Sequence, residues 1–458
     1  MSEAEAVPRA NRGNRLLLEQ WVDLLQDDSF RRYWLMRLVS HGGTNALGYS
    51  LLVFTVRHSD SAIATGALLL TLIVPSAMLG AIAGVAVDRL PRGLILFAAN
   101  ILRAALVFAL VGAKDSLAGI YAVSLGLGIV TQFAVPAEAA VVPHIVRSRR
   151  LVAANSFINL GTLASQVAGM LVIAPLFLKT TDGDALLFLL VVLFAVSAAL
   201  ITVIPQFHFT STEDGREVSL RAVRREFAES WLHLGRDPTA FLALVLLVVT
   251  SISTLIIGTM LPKFSSGVLH IAPENIVFVL APVGFAVFLG LRSVEFLADR
   301  FNKLVTISAA YVLMAVSLIA LGLVAGSAEA IQSWDPLGLF GAGLLDQRAA
   351  RIAVTVVYAN LYGFSLTVVL TMGRVLLNER IPLAMQGRVF AAQSILTNLV
   401  AIGPVLLAGL VADWAGVQPV LVCAGVAALL AAAWSQARSS RTVPAAPGRE
   451  VSDAPPLR

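Results

Sequence analysis

Arg150-Leu-Val-Ala-Ala-Asn155-Ser156 and Arg388-Val-Phe-Ala-Ala-Gln393-Ser394 are two versions of one heptapeptide, and each opens a long apolar run. Two apolar runs earlier in each half a second pair appears in the same order. It is Asp88-Arg89 with Arg92, matched by Asp299-Arg300 with Lys303. Chance supplies one such match easily; two, at equivalent places and in order, point to an internal duplication. Working outward from these anchors, the apolar runs predict spans at 34–55, 62–87, 93–112, 117–140, 151–177, 184–205, 239–262, 274–298, 303–326, 351–373, 388–412 and 417–436. The longest polar interior stretch, 206–238, separates six runs from six. An outer segment at 327–350 is the largest difference between the halves and reads as a short helical lid or a spacer.

Composition agrees. Of 458 residues, 58% are apolar and only 13% charged, where soluble proteins are nearer a quarter charged, and mean hydropathy is +0.84. A water-soluble enzyme, a disordered chain and a coiled coil are all disfavoured. About twelve spans of roughly 20 residues each would fill a little over half the chain. Lipid satisfies no free backbone group, so the spans must be helices. The expected class is an all-α polytopic membrane protein.

Net charge is +5, with 33 basic residues. Arginine and lysine crowd one set of loops: Arg89 and Arg92, Arg147 to Arg150, the arginines of 206–238, Arg300 and Lys303, then Arg374, Arg380 and Arg388. The opposite loops hold Arg57, Lys114, Lys179, Lys263, Arg348 and Arg351. The crowded side is expected to be cytoplasmic, with both termini there. That bias explains the basic pI without a nucleic acid partner. No cleavable signal peptide is expected; Leu16–Leu25 reads as an amphipathic surface helix. The expected organisation is a cytoplasmic segment 1–33, a first bundle 34–205, a linker 206–238, a second bundle 239–436 and a disordered tail 437–458.

Polar residues inside spans mark candidate cavity walls, because they are costly in hydrocarbon. Arg37, His41 and Asn45 recur at four-residue steps on one helix face. Histidine titrates between pH 5 and 8, so His41 is the proton-coupling candidate; a hydrogen-bonded packing histidine is the plainer alternative. Asn155, Asn159, Thr162 and Gln166 form a stripe on span 5. Tyr358, Tyr362 and Ser365 share a face of span 10, and Gln393 and Thr397 lie on span 11. Arg103 falls near mid-bilayer with no acid at any predicted span centre, either as a structural cation or as an attractor of anions. Glu138 and Glu295 are placed near the crowded ends. There is no P-loop, GxSxG, HExxH or CxxC, and the single cysteine is Cys423. No cofactor, fixed metal site or enzymatic activity is expected.

Gly84-Val-Ala-Val-Asp88-Arg89-Leu-Pro-Arg92 resembles the signature loop between spans 2 and 3 of the major facilitator superfamily. Pro136-Ala-Glu138, Pro143-His-Ile-Val, Glu379-Arg380-Ile-Pro382 and Gly387-Arg388-Val-Phe390-Ala resemble its twelve-span exporter branch, which contains macrolide and enterobactin efflux proteins. The likeness runs over roughly 29 to 437. It implies the major facilitator fold, two pseudo-symmetric six-helix bundles around a cavity that opens alternately to each side. It also implies proton-coupled export of a drug- or siderophore-like molecule from a bacterial cytoplasmic membrane. Gly84, Asp88, Arg89, Arg92, Asp299, Arg300 and Arg388 are expected to act as gating loops, Gly84 by permitting close helix approach. Expected partners are the bilayer, a small-molecule substrate and protons, with the chain working as a monomer. The sequence departs from the family pattern at Glu295, at Gly42-Gly43-Thr44-Asn45, at Asn100 and at Gln166 between Gly161 and Gly169. A lipid flippase or organic-anion carrier, and a non-transporting assembly factor of the same fold, stay open.

Overall fold

The structure, a computed structural model, describes residues 21–147, 150–180, 183–204, 235, 237–334, 346–381 and 383–439. Most of the expected linker and N-terminal segment, nearly all of the expected tail and the middle of the outer segment (335–345) lie outside them. So does the first half of the expected amphipathic helix at Leu16–Leu25.

Among the described residues twelve long helical segments follow one another. They are α1 (Asp28–His58), α2 (Ala62–Arg89), α3 (Arg92–Ala113), α4 (Leu117–Ile145) and α5 (Leu151–Val167). α5 continues through a π-helical turn, Ala168–Ile173, into Ala174–Thr180. Next come α6 (Asp184–Thr202), α7 (Pro238–Gly267), α8 (Ile276–Leu280, resuming at Val283–Arg300) and α9 (Lys303–Gly322). The set ends with α10 (Gln347–Arg380), α11 (Leu383–Ala415) and α12 (Val417–Ser439). Eleven of these are long and apolar enough to cross a membrane, and α1 is the twelfth. α1 falls short on apolarity because it carries Arg37, His41 and Asn45. The outer segment begins as a helix, Val324–Trp334.

Side chains start several of these helices. Asp27, Ser61, Asp237, Asn302 and Asp346 each accept from backbone N–H groups of the first turn, satisfying donors that hydrocarbon would leave orphaned. The outer faces remain apolar and exposed, as with Phe285, Phe288 and Phe296 along α8. Water would not tolerate so much exposed hydrocarbon; a bilayer does.

The duplication is visible in the packing. In the first half α1 packs on α5 and α6, α2 on α4, and α3 on α4 and α6. In the second half α7 packs on α11 and α12, α8 on α10, and α9 on α10 and α12. These are the same five pairings shifted by six helices.

The cores differ. The second bundle has one continuous cluster of buried apolar side chains, running from Leu242 to Ala432. The first is divided into a cluster around Leu47, Phe54 and Phe194 and another around Phe30, Tyr33 and Met36. A polar layer on α1 separates them.

The bundles meet on the side opposite the arginine-rich loops. α2 lies against α7 and α11, and the π-helical turn of α5 lies against Ile276–Leu280 of α8. Asp413 near the end of α11 accepts from Ser61 Oγ (2.5 Å) and from the backbone N–H of Ala62 (2.6 Å) and Ile63 (3.3 Å) at the start of α2. It also pairs with Lys263 of α7 at 2.6 Å. Tyr49 Oη donates to the Pro273 carbonyl at 3.4 Å, and Asn398 bonds Ser76 halfway down α2. Toward the arginine-rich side, Met78 and Ile82 of α2 are exposed.

Candidate functional site

α1 presents Tyr33, Arg37, Ser40, His41 and Thr44 along one face, at the three- and four-residue steps of a helix. Opposite them stand Glu138 of α4 and Asn100 and Arg103 of α3. Glu138 is 3% exposed. One of its carboxylate oxygens, Oε2, accepts from Arg37 Nη1 and lies 2.9 Å from His41 Nε2. Tyr33 Oη donates to the Glu138 backbone carbonyl at 2.8 Å. Pro136 and Pro143 interrupt the α4 ladder on either side of this residue, and proline leaves the carbonyl four positions back without its partner.

Arg103 does not lie on an exposed wall; it is 4% exposed, behind α1. Its Nη1 donates to Ser40 Oγ (3.0 Å), Ser40 donates to Asn100 Oδ1 (2.7 Å), and Asn100 Nδ2 donates to the Leu96 carbonyl (2.9 Å). Glu138 is within electrostatic reach of Arg103. Arg103 Nε and Arg37 Nε have no hydrogen-bond partner among the described residues. The layer therefore holds two guanidiniums, one imidazole and one carboxylate. Burial makes each charge dependent on the others, since an isolated ion in low dielectric is strongly disfavoured.

The expected span 117–140 puts Glu138 near its crowded end, and the structure moves that end outward. α4 runs to Ile145, not 140, so Glu138 sits two turns inside it, about 10 Å from its end. The expected span stops short of Pro143, whereas a membrane helix tolerates proline. His144 Nδ1 is 3.0 Å from the Ala140 carbonyl, which assigns the proton to Nδ1 and leaves Nε2 to accept from Arg92 Nη1 at 2.6 Å.

The other sequence candidates are dispersed. Asn45 Nδ2 donates to the His41 carbonyl, one turn back. Asn155, Asn159 and Gln166 are exposed along α5, and Thr162 is half-buried. In the second bundle Tyr362, Gln393 and Thr397 are buried and Tyr358 is half-buried. Tyr362 Oη lies 3.5 Å from Thr254 Oγ1.

A Cβ on Gly84 would meet nothing within 4 Å among the described residues. The close approaches are elsewhere. A Cβ on Gly169, in the π-helical turn, would fall 2.3 Å from the Gly42 carbonyl oxygen, and one on Gly161 would fall 2.7 Å from Trp34 Nε1. Both glycines seat α5 on α1. The Asp88 and Arg388 side chains lie outside the described set; Arg89, Asp299 and Arg300 are exposed at helix ends, and Lys303 pairs with Glu379. Among the described residues no three His, Cys, Asp or Glu side chains converge as a metal site.

A family model described as Major Facilitator Superfamily matches residues 33–346. No curated protein matches the chain in sequence. Among solved structures, a point mutant of the nucleoside transporter NupG is similar with a TM-score of 0.68 and 12% identity, over 89% of this chain and 98% of that one. A bacterial homologue of the iron transporter ferroportin, in an inward-facing state, is similar with a TM-score of 0.66 and 16% identity, over 90% and 99%. An auto-inhibited POT family peptide transporter gives 0.64 and 13%, over 93% and 98%. At these identities the likeness concerns the fold alone.

Proposed function

Since the chain belongs to the major facilitator superfamily, we propose that it is a secondary transporter that exports a small amphipathic organic molecule from a bacterial cytoplasm by alternating access. In this reading the arginine-rich loops and both termini are cytoplasmic. The seam around Asp413 is then the closed outer side, and the cleft opens to the cytoplasm. The chain works as a monomer, with the drug or siderophore class as cargo.

The observation that carries the coupling is the buried carboxylate of Glu138 shared by Arg37 and His41. A proton and Arg37 compete for the same oxygen. Ionised Glu138 holds α1 against α4; protonated Glu138 releases Arg37 and His41 toward the cleft. Proton occupancy thereby sets both the charge of the cavity wall and the grip between two helices, which is what antiport requires. Asn155, Asn159 and Gln166 on α5 supply adaptable hydrogen bonds to the cargo. Alternation of the two bundles breaks the outer seam and closes the arginine-rich side, where Asp88, Arg89, Arg92, Asp299, Arg300 and Arg388 act as the gate.

One observation favours a second reading, an organic-anion carrier or lipid flippase. Arg37 and Arg103 outnumber Glu138, so with a neutral imidazole the layer is net positive. A thermal-shift panel of cationic, anionic and neutral amphiphiles on the purified protein identifies the ligand class, and proteoliposomes then test the mechanism. Export that depends on an imposed proton gradient, and loses that dependence in Glu138→Gln, supports proton-coupled export. Export unchanged after the gradient is collapsed excludes it. Stabilisation by anions alone selects the second reading.

A further inference from the structure

The second bundle holds a half-open cavity of about 390 Å³, within the size range of small-molecule sites. Ile257 and Leu261 of α7, Leu280 of α8, Ala359 and Tyr362 of α10 and Leu421 of α12 line it. Among the described residues no charged side chain borders it. Its threonine hydroxyls are spent on their own helices: Thr254 donates to the Thr250 carbonyl (2.9 Å) and Thr355 to the Arg351 carbonyl (2.8 Å). A cavity that offers water almost no partners stays dry, and an apolar ligand restores the dispersion contacts its lining lacks.

Its position is as informative as its chemistry. The break in α8 between Leu280 and Val283 forms part of the wall, and an interrupted membrane helix is a common way to build a binding site. Gly258, also in the lining, stands against Leu69 of α2, where a Cβ would lie 3.8 Å from Leu69 Cδ1. This part of the lining therefore stands at the seam between the bundles. The charged layer belongs to the first bundle and the apolar cavity to the second.

We propose that this cavity is a tail subsite that takes the single hydrocarbon chain of an amphipathic cargo while the cargo's polar end faces the Arg37–His41–Glu138 wall. The assignment rests on the transporter reading and narrows its substrate class to single-chain amphiphiles. Such a division accounts for the one-sided distribution of charge: the second bundle contributes contact area and the first contributes polarity. Seated beside α7 and α8, the tail touches the helices whose outer ends close on the first bundle. Cargo binding is thereby linked to the seam that must open.

The test is photolabelling of the full-length protein in nanodiscs with dodecanol carrying a mid-chain diazirine, the adducts being located by mass spectrometry. A phospholipid with the same diazirine in one acyl chain serves as the second arm. The dodecanol probe is expected to label 254–264 and 355–362. Ala359→Phe, which puts a ring in the cavity, is expected to lower that labelling about tenfold. Leu421→Ala enlarges the cavity and is expected to raise labelling by a hexadecanol analogue relative to the dodecanol probe, a gain that a misfolded variant would not give. Labelling confined to outward residues such as Phe285 and Phe296, or labelling of the cavity by the phospholipid and not the alcohol, overturns the proposal. Proton-dependent export with an unlabelled cavity removes the subsite alone. A labelled cavity without such export removes the coupling reading and leaves the subsite standing.

Discussion

Glu138 holds its carboxylate between Arg37 and His41 while Tyr33 bonds the backbone carbonyl of the same residue. Removing one partner of a buried ion pair costs far more than removing both, because the survivor stays charged without compensation. Glu138→Ala is therefore expected to lose about 3 kcal/mol of stability, the low end of the range because Arg37 is partly exposed. The double variant Arg37→Met/Glu138→Leu is expected to recover most of it while failing in proton-dependent export. Thermal unfolding of Arg37→Met, Glu138→Leu and the double in one detergent checks this; additive losses would mean that the pair is not coupled. At this scale the sequence was partly legible. The four-residue spacing put Arg37, His41 and Asn45 on one face, and Arg37 and His41 do meet a partner. The partner itself was hidden, because a proline four residues before the next arginine cluster reads as the end of a helix when it is only an interruption.

Among the elements, α1 and α5 pack at glycines and α2 and α11 meet through a cap. The π-helical turn brings Gly169 onto the Gly42 carbonyl, with Ser165 Oγ donating to the Leu38 carbonyl one turn earlier (2.9 Å). Gly169→Leu has no room for its side chain against rigid backbone, and is expected to cost about 1–3 kcal/mol or more and to reduce the yield of folded protein. Gly84→Ala is expected to leave the yield unchanged; size-exclusion profiles of both variants check the contrast. Asp413 reads as a residue just beyond a span, yet it caps the first turn of α2 from the other bundle and neutralises Lys263. Asp413→Asn keeps the shape and loses the charge, weakening both the ion pair and the charge-assisted bonds to the α2 N-terminus. Its expected effect is a rise in the population open on that side, read as faster alkylation of a cysteine placed at the buried Ala62 in a Cys423→Ser background; an unchanged rate would assign Asp413 no part in closure. Span positions were legible because hydrocarbon imposes a minimum apolar length. The π-helical turn and the break in α8 were not, since both depend on neighbouring helices that satisfy displaced backbone groups.

At the scale of the molecule, duplication was the most legible feature. The heptapeptides at 150–156 and 388–394 foretold two halves, and five helix pairings recur between them. Which side of the molecule is closed was not legible. Two packings of one sequence differ by only a few kcal/mol, and the choice between them leaves no local pattern in composition or period. Among the described residues the seam rests on few polar contacts, chiefly those of Asp413, Asn398 and Tyr49, as suits an interface that must open. The account stands on exchange between this arrangement and its mirror, with proton occupancy at Glu138 biasing the balance. The most direct measurement is pulsed electron–electron distance spectroscopy on a Cys423→Ser background, in nanodiscs, as pH is lowered. One spin-label pair joins Asp60 and Trp414 on the seam side; the other joins Leu90 and Phe301 on the arginine-rich side. The account predicts two populations whose weights shift with pH, the first distance lengthening as the second shortens, and no shift in Glu138→Gln. Two single, pH-independent distances, or both pairs moving in the same direction, would contradict it.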